Sequence, residues 1–269
     1  MPIIDAWIQH PTPDFVSHDM FATLRRWLGL PDRIDAFPIE LTLGAMDAAG
    51  VDRALTCAWS GPHGFLLSND HVAETVDASG GRLIGVGSVD LSDPMEAVRE
   101  VRRCAERGFK AIRVLPWIWG LPPDDRRYYP VYVACIEAGL PFCTQIGHTG
   151  PLRSSEPGRP IPYLENVLLD FPELTVVGGH VGEPWIREVL TLCHKFPNFY
   201  VDTSAWALHR LPVELVQYMK GRGQSRVLFG SNFPMLQPGA CLARLDALGL
   251  DDTAKALFLH DNAVKVYNL

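Results

Sequence analysis

The feature that most constrains the fold is a regular alternation of short apolar runs and helical stretches along the whole chain. Most of the runs are continuously apolar, which is typical of parallel strands that are covered on both faces. A strand followed by a helix, repeated eight times, favours a closed (β/α)8 TIM barrel, which is an α/β fold. The predicted strands are Ile3–Ile8, Ala54–Trp59, Leu83–Val89, Ala111–Leu115, Pro141–Ile146, Thr175–Gly179, Phe199–Asp202 and Val227–Gly230.

The helical stretches carry capping signals. In Pro94–Arg107, Asp93 is a candidate N-cap, and Gly108 follows as a stop. An open doubly wound sheet is the alternative architecture, but it would place a glycine-rich phosphate loop after its first strand. The chain has Trp7–Pro11 there, so the barrel is favoured. Further helices are predicted over Ser68–Ser79, Pro184–Lys195 and, as one or two closing helices, Asp251–Tyr267.

A chain of 269 residues suits one α/β barrel. We find no repeat, low-complexity tract or dividing linker, so a single domain is predicted over residues 1–269. Two connections, Pro11–Pro38 and Gly147–Pro160, are unusually long, and both follow strand ends. Because those ends form the active face of a barrel, both connections are candidate pocket walls.

The composition limits the kinds of partner that the chain is expected to bind. The net charge of −7 argues against bulk attraction to nucleic acid or anionic lipid. No run reaches the ~18 apolar residues of a membrane span, and the first residues lack a signal-peptide pattern. The six cysteines form no CxxC pair and are predicted to be free thiols in a reducing cytoplasm. A small-molecule substrate is the expected partner, and a homo-oligomer stays open.

Polar residues collect where the predicted strands end. In a barrel these ends converge on one cavity, which is the strongest indication of an enzyme. Each residue also has a structural alternative, since a histidine can be a hydrogen-bonded core residue and a tryptophan can serve packing alone. The residues are Gln9, His10, Ser60, His63, Arg113, Gln145, His148, His180, Glu183, Asp202, Ser204, Ser231 and Asn232.

Five segments in order resemble the amidohydrolase-2 branch of the amidohydrolase superfamily, which includes lactonases and decarboxylases. The resemblance spans nearly the whole chain and implies a TIM-barrel enzyme. The segments are Ile3–Asp5, where the family opens a DxHxH pattern, Gly139–Pro141, Val176–Gly182, Val227–Pro234, which is similar to the family's FGSDYP signature, and Asn262–Ala263.

The chain departs from this family at the metal site. The family binds a divalent metal through histidines on the first, fifth and sixth strands and an aspartate on the eighth. Of these ligands only His180 remains, while His10 and His148 lie nearby but out of register. Tryptophan cannot ligate a metal, and neutral amides are poor substitutes, so no metal cofactor is expected. The other ligand positions hold Trp7, Gln9, Gln145 and Asn232.

The first functional hypothesis is a metal-independent hydrolase of an activated carbonyl, such as a lactone, ester or thioester. His180 or His148 would serve as general base, and Arg113 would hold a substrate carboxylate. The amides of Gln9, Gln145 and Asn232 would orient the carbonyl oxygen.

Two alternatives stay open: a carbon–carbon lyase of the non-oxidative decarboxylase type, and a non-catalytic ligand-binding barrel. Tryptophans near the strand ends indicate a partly aromatic or apolar substrate. Trp7, His10 and Trp117 complete the predicted substrate-binding set.

Overall fold

The computed structural model describes all 269 residues and is built around eight parallel strands. All eight predicted strands are present, and each pairs with its neighbours in chain order. We label them β1 (Ile4–Ile8), β2 (Arg53–Cys57), β3 (Leu83–Gly87), β4 (Ala111–Arg113), β5 (Phe142–Gln145), β6 (Val176–Gly179), β7 (Phe199–Asp202) and β8 (Val227–Leu228).

The ring is closed by hydrogen bonds between β1 and the segment that follows β8. The Ala6 amide donates to the Phe229 carbonyl at 2.8 Å, and the Asn232 amide donates to the Trp7 carbonyl at 2.7 Å. Because β1 is paired on both sides, the sheet has no free edge there. The TIM barrel is therefore confirmed over the open doubly wound alternative.

Helices cover the outside of the ring. Asp93 caps its helix as predicted, because its carboxylate accepts from the amides of Met95 and Glu96. A short hairpin of Trp59–Gly61 with Gly64–Leu67 follows β2. The α-helices are Pro13–Ser17, Ala22–Leu28, Ile39–Ala49, Asn69–Ala78, Pro94–Glu106, Pro116–Trp119, Tyr129–Ala138, Glu165–Asp170, Ile186–Lys195, Val213–Lys220, Pro238–Leu242, Asp252–Ala256 and Asn262–Tyr267. Single 3-10 turns span Asp19–Phe21, Glu156–Gly158, Leu208–Arg210 and Leu245–Leu248, and π turns span Pro160–Leu164 and Leu257–Asp261.

Two apolar clusters hold the fold together. The larger joins strands and helices, and the smaller combines side chains of the ring with the aromatic side chains at the carboxyl ends of the strands. The ring also contains fully buried ionisable side chains, namely Asp5, Arg113 and Asp202. All six cysteines are unpaired and buried. None of the helices combines the length and apolarity needed to cross a membrane.

Candidate active site

A cavity of about 630 Å³ opens at the carboxyl ends of the strands. This volume lies in the range of small-molecule sites. Its walls come from the strand ends and from both long connections, Pro11–Pro38 and Gly147–Pro160. The sequence-predicted residues on its lining are Gln9, Trp117, Gln145, His148, His180 and Asn232.

One wall of the cavity is aromatic. Phe15 lies 4.9 Å from Phe21 and 5.1 Å from Trp59, measured between ring centroids. Trp59 in turn lies 6.1 Å from Trp117 in an edge-on arrangement. Such tilted contacts are the geometry that aromatic rings favour, so the wall is preformed.

The charged and titratable side chains of the lining are all basic. Arg25 and Arg210 are its charged residues, and His148, His180 and His209 are its histidines. No aspartate or glutamate lines the cavity, although the whole chain carries 31 acidic residues against 24 basic ones. The site is therefore suited to a ligand that is both apolar and anionic.

His180 stands at the centre of the polar groups. Its Nδ1 lies 2.6 Å from the Ser204 hydroxyl, and its Nε2 lies 3.5 Å from Asn232 Nδ2. Ser204 also hydrogen-bonds Asp202, which ends β7. Burial, followed by the charges of Arg113 and His148, lowers the pKa of His180 to about 3. The imidazole is therefore neutral near pH 7, which is the form a general base requires.

The backbone turns His180 and Asn232 into the cavity. Their φ angles are 72° and 70°, in the left-handed region that non-glycine residues seldom adopt. Val181 follows with a φ of 65°, which is costlier for a β-branched residue. Its amide donates to the Asp202 carbonyl at 3.2 Å, so the ends of β6 and β7 hold each other in this conformation.

The three side-chain amides differ in how many N–H hydrogens they have free to bind a substrate. Gln9 Nε2 donates to the Phe233 carbonyl at 2.6 Å and to Asn232 Oδ1 at 3.2 Å, so both of its hydrogens are used. Gln145 accepts from Trp117 Nε1 at 2.7 Å and donates to the His148 carbonyl at 3.0 Å. Gln145 Nε2 and Asn232 Nδ2 each keep one hydrogen without a partner, and Asn232 is the one that lies beside His180.

Arg113, expected at the substrate, lies elsewhere. It is 1% exposed inside the ring, and its guanidinium carbon sits 3.5 Å from the centroid of the fully buried Trp7 ring. The Trp7 ring lies 4.7 Å from His180 on a tilted plane. Neither Trp7 nor Arg113 lines the cavity. A direct contact of Arg113 with a substrate carboxylate therefore disagrees with its position.

His10 also lies away from the cavity. Its Nδ1 is 2.8 Å from the Thr42 hydroxyl, and its ring stacks 5.8 Å from His71. Burial lowers the pKa of His10 to about 4, with a further contribution from His71. His10 follows β1, which ends at Ile8, and its side chain contacts Thr42 of the helix Ile39–Ala49 as well as His71. His10 therefore joins the start of the loop after β1 to that helix and does not reach the substrate cavity where the sequence placed it.

His148 lies on the lining and is exposed. Its backbone amide donates to the Glu183 carbonyl at 2.7 Å, and its ring meets Trp206 edge-on at 6.2 Å. Because it is held by the loop after β5, it flanks the cavity mouth instead of the buried end near Asp202.

The side chains around His180 do not suit the divalent metal that the family resemblance implies. Its polar neighbours are a serine hydroxyl and an asparagine amide, with the indole of Trp7 on one side. Nowhere in the chain are three His, Cys, Asp or Glu side chains grouped so as to hold an ion. The buried guanidinium of Arg113 adds a fixed positive charge to this region, which disfavours a second cation.

Several residues of the cavity lining were not predicted from the sequence. The first long connection was predicted to form a pocket wall, but its individual lining residues were not. These include Phe15, Phe21 and Leu24. Outside the lining, Ser204 was predicted as a polar strand end, but its hydrogen bond to His180 was not predicted, because it joins the ends of two different strands. The signal for the aromatic wall is the density of aromatic residues in Phe15–Trp27.

A family model described as Amidohydrolase matches residues 29–269. In sequence, the chain is 32% identical over 72 residues to a 2-amino-3-carboxymuconate-6-semialdehyde decarboxylase from Dictyostelium discoideum. That match covers 26% of this chain and 20% of that protein.

Solved structures with the same fold span nearly the whole chain. An uncharacterised TIM-barrel protein from Bordetella bronchiseptica is 25% identical with a TM-score of 0.85, covering 99% of this chain and 98% of that one. A 5-carboxyvanillate decarboxylase from Sphingomonas paucimobilis is 19% identical with a TM-score of 0.71, covering 100% and 99%. A second such decarboxylase, from Novosphingobium aromaticivorans in complex with manganese and a nitrobenzoic acid, is 20% identical with a TM-score of 0.73, covering 99% and 96%. With the family model matched over most of its length, the chain belongs to the amidohydrolase family of enzymes.

Proposed function

We propose that the chain is a non-oxidative carbon–carbon lyase that decarboxylates a small aromatic or unsaturated carboxylic acid. The observation that carries the proposal is the combination of an aromatic wall with a lining free of acidic side chains. An aromatic carboxylate meets both conditions, since its ring packs against Trp59 and Trp117 and its charge meets no repulsion. This reverses the order of the sequence-based hypotheses, which placed a hydrolase first.

The relatives support the same order. The named enzymes among them are decarboxylases, and one of the solved structures holds a substituted benzoic acid. The match to the Dictyostelium enzyme is short, and the structures with named activities are 20% identical or less, so the cavity itself carries the argument.

Decarboxylation requires the site to supply a proton and to exclude water. The bond between the ring carbon and the carboxylate breaks, carbon dioxide leaves, and the ring carbon keeps the electron pair and takes a proton. A carboxylate beside His180 would raise the pKa of that imidazole, because an opposite charge favours the protonated form. His180 can then acquire a proton on substrate binding and deliver it from Nε2. The apolar walls desolvate a charge that disperses as carbon dioxide forms.

A metal-independent hydrolase of an activated carbonyl is the second candidate. The observation in its favour is the pair formed by the neutral His180 and the side-chain amide of Asn232, with 3.5 Å between Nε2 and Nδ2. Such a pair can activate water and hold a carbonyl oxygen. The site offers the spare hydrogens of Asn232 and Gln145, and not all three amides that the sequence suggested, because the hydrogens of Gln9 are already used.

The two functions are separated by their products. The purified chain is incubated in D2O with aromatic carboxylic acids labelled with 13C in the carboxyl group, and in parallel with aryl lactones, esters and thioesters. A lyase releases labelled carbon dioxide and leaves one deuterium on the vacated carbon. Opening of a lactone or ester without carbon dioxide release would establish the hydrolase instead. Tight binding of the acids without turnover of any compound would establish a ligand-binding barrel.

A further inference from the structure

We infer that Ser204 is a positioning residue that, with Asp202 behind it, holds His180 with its proton on Nδ1, so that Nε2 presents a lone pair to the cavity. The inference concerns a group that both candidate reactions use. It therefore stands or falls independently of whether the chain releases carbon dioxide.

The direction of the chain of hydrogen bonds is set first at Asp202. Its Oδ1 accepts from the Ser204 backbone amide at 2.9 Å and also from the Ser204 hydroxyl. As a carboxylate, Asp202 can only accept, so the Ser204 hydroxyl donates its hydrogen to Oδ1. Burial raises the pKa of Asp202, while its hydrogen bonds with Ser204 and the charge of Arg113 act in the opposite direction and favour the carboxylate.

The second step follows at Ser204. A hydroxyl has one hydrogen, and here that hydrogen is committed to Asp202. The Ser204 oxygen can therefore only accept from the other groups around it. These are the His180 backbone amide at 3.2 Å and the His180 ring nitrogen Nδ1 at 2.6 Å. Nδ1 must then be the nitrogen that carries the hydrogen.

The opposite side of the ring leads independently to the same form. The Phe233 carbonyl can only accept, so the group of Gln9 that lies 2.6 Å from it is the NH2. That NH2 also donates to the Asn232 side chain, whose oxygen must therefore face Gln9 at 3.2 Å. The NH2 of Asn232 is left facing His180 Nε2 at 3.5 Å, and a donor there requires a lone pair on Nε2.

The residues around Ser204 restrict the position of its side chain. Ser204 and Asp202 are both fully buried. A Cβ placed on Gly230 would lie 3.1 Å from the Ser204 Cβ, so Gly230 packs closely against Ser204. With the proton held on Nδ1, the cavity-facing Nε2 of the neutral imidazole stays unprotonated. Loss of the partner that fixes the tautomer of a metal-ligating histidine typically costs ~10–100-fold in affinity or activity, and we expect a loss of the same order for His180.

The test reads the tautomer directly and needs no substrate. Long-range 1H–15N spectra of the chain labelled with 15N-histidine are recorded near pH 7, and His180 is assigned from the peaks that vanish in H180N. Wild type should show a protonated Nδ1 and an unprotonated Nε2. S204A and S204C should shift the population toward protonated Nε2, because alanine removes the acceptor and cysteine keeps the size with a weak acceptor.

Thr203→Val is the matched control. Thr203 is adjacent and buried, and its hydroxyl contacts Gly230 but not His180. T203V should therefore keep the wild-type tautomer. Once a substrate is identified, S204A and S204C should lower kcat ~10–100-fold with little change in KM, while T203V should not.

Two results overturn the inference. One is a wild-type His180 with its proton on Nε2. The other is a population of the Nδ1-protonated tautomer in S204C or S204A that equals the population measured in T203V. Thermal melts of all three variants report folding, and S204C keeps the test available should S204A not fold. A failed search for carbon dioxide release would count against the proposed lyase alone, because the tautomer is measured in the free enzyme.

Discussion

The indole of Trp7 lies over the guanidinium of Arg113, with 3.5 Å from the guanidinium carbon to the ring centroid. Both side chains are buried inside the ring of strands, and the indole is in turn a neighbour of His180. A desolvated cation–π contact of this kind contributes ~2 kcal/mol. Trp7 stands where the family resemblance places a metal ligand, so this pair fills the barrel beside the one retained histidine.

Gly179 makes room for Trp7, and this predicts a measurable coupling. A Cβ at Gly179 would lie 2.4 Å from Trp7 Cζ3 and 2.6 Å from Cε3. Gly179→Ala should therefore lower the free energy of unfolding in urea by ~1–3 kcal/mol, the usual cost of overpacking. In a Trp7→Leu background the same change should cost much less, since the far part of the indole is gone.

Gly44→Ala serves as the control for that cycle. Gly44 lies in the helix Ile39–Ala49, and a Cβ there would meet nothing within 4 Å. Alanine in a helix is favoured over glycine by ~0.5–1 kcal/mol, so G44A should stabilise slightly. Equal costs of G179A with Trp7 and with Leu at position 7 would show that the indole does not occupy this space.

His180→Asn should reduce turnover far more than it reduces stability. A general acid or base contributes ~10²–10⁴-fold to the rate, and asparagine lacks a nitrogen at the Nε2 position. Asparagine also tolerates the positive φ of this residue better than most side chains, so folding should change little. The measurements are kcat on an identified substrate and the thermal melt. A variant that melts normally and keeps full turnover would remove His180 from the mechanism.

Asp5 should make the fold less stable as the pH rises. Burial raises the pKa of its carboxyl to about 7, against 3.8 for a free aspartate. Between these values the unfolded chain has released the proton that the native chain keeps, so stability falls with rising pH by up to ~1.4 kcal/mol per unit. Asp5→Asn cannot titrate and should lack this loss.

The measurement for Asp5 is the difference in unfolding free energy between D5N and wild type at pH 4.5 and pH 7. The comparison with wild type cancels the opposite trend of His10 and His180, whose lowered pKa values make stability rise with pH over the same range. The difference should move in favour of D5N at pH 7. A constant difference would mean that Asp5 is ionised throughout.

The strands could be predicted from the sequence because continuous apolar runs mark buried parallel strands, and all eight were found. The same property hides the direction of each side chain. A strand buried on both faces shows no alternation of polar and apolar residues, so nothing in the run ending at Arg113 says which way the guanidinium points. It points into the ring under Trp7, and not toward the cavity.

The polar chain through His180 was beyond prediction for a different reason. Ser204 contacts His180 across 24 residues, and Gln9 contacts Phe233 across 224. Such contacts depend on the register between neighbouring strand ends and on backbone turns of positive φ at His180 and Asn232. Local pattern predicted that these residues would lie at one end of the barrel, but not which hydrogens of Gln9 were already used.

We expect the purified chain to carry no stoichiometric transition metal and to keep its activity in the presence of a chelator. A catalytic zinc site needs about three protein ligands and a place for water. The side chains beside His180 that could approach an ion are the amide of Asn232 and the indole of Trp7. His10 is hydrogen-bonded to Thr42. His148, on the lining loop after β5, is the remaining imidazole able to approach, and two imidazoles with an amide would bind an ion weakly.

Elemental analysis of the purified chain, before and after dialysis against manganese or zinc, measures the metal content. The manganese-bound 5-carboxyvanillate decarboxylase from Novosphingobium aromaticivorans, purified in the same buffers, is the positive control. The fixed charge of Arg113 near His180 should keep the content well below one ion per chain even after loading. About one zinc, iron or manganese per chain, with activity lost to a chelator and restored by that ion, would contradict the metal-free site. His148 would then be the first residue to examine as a ligand beside His180.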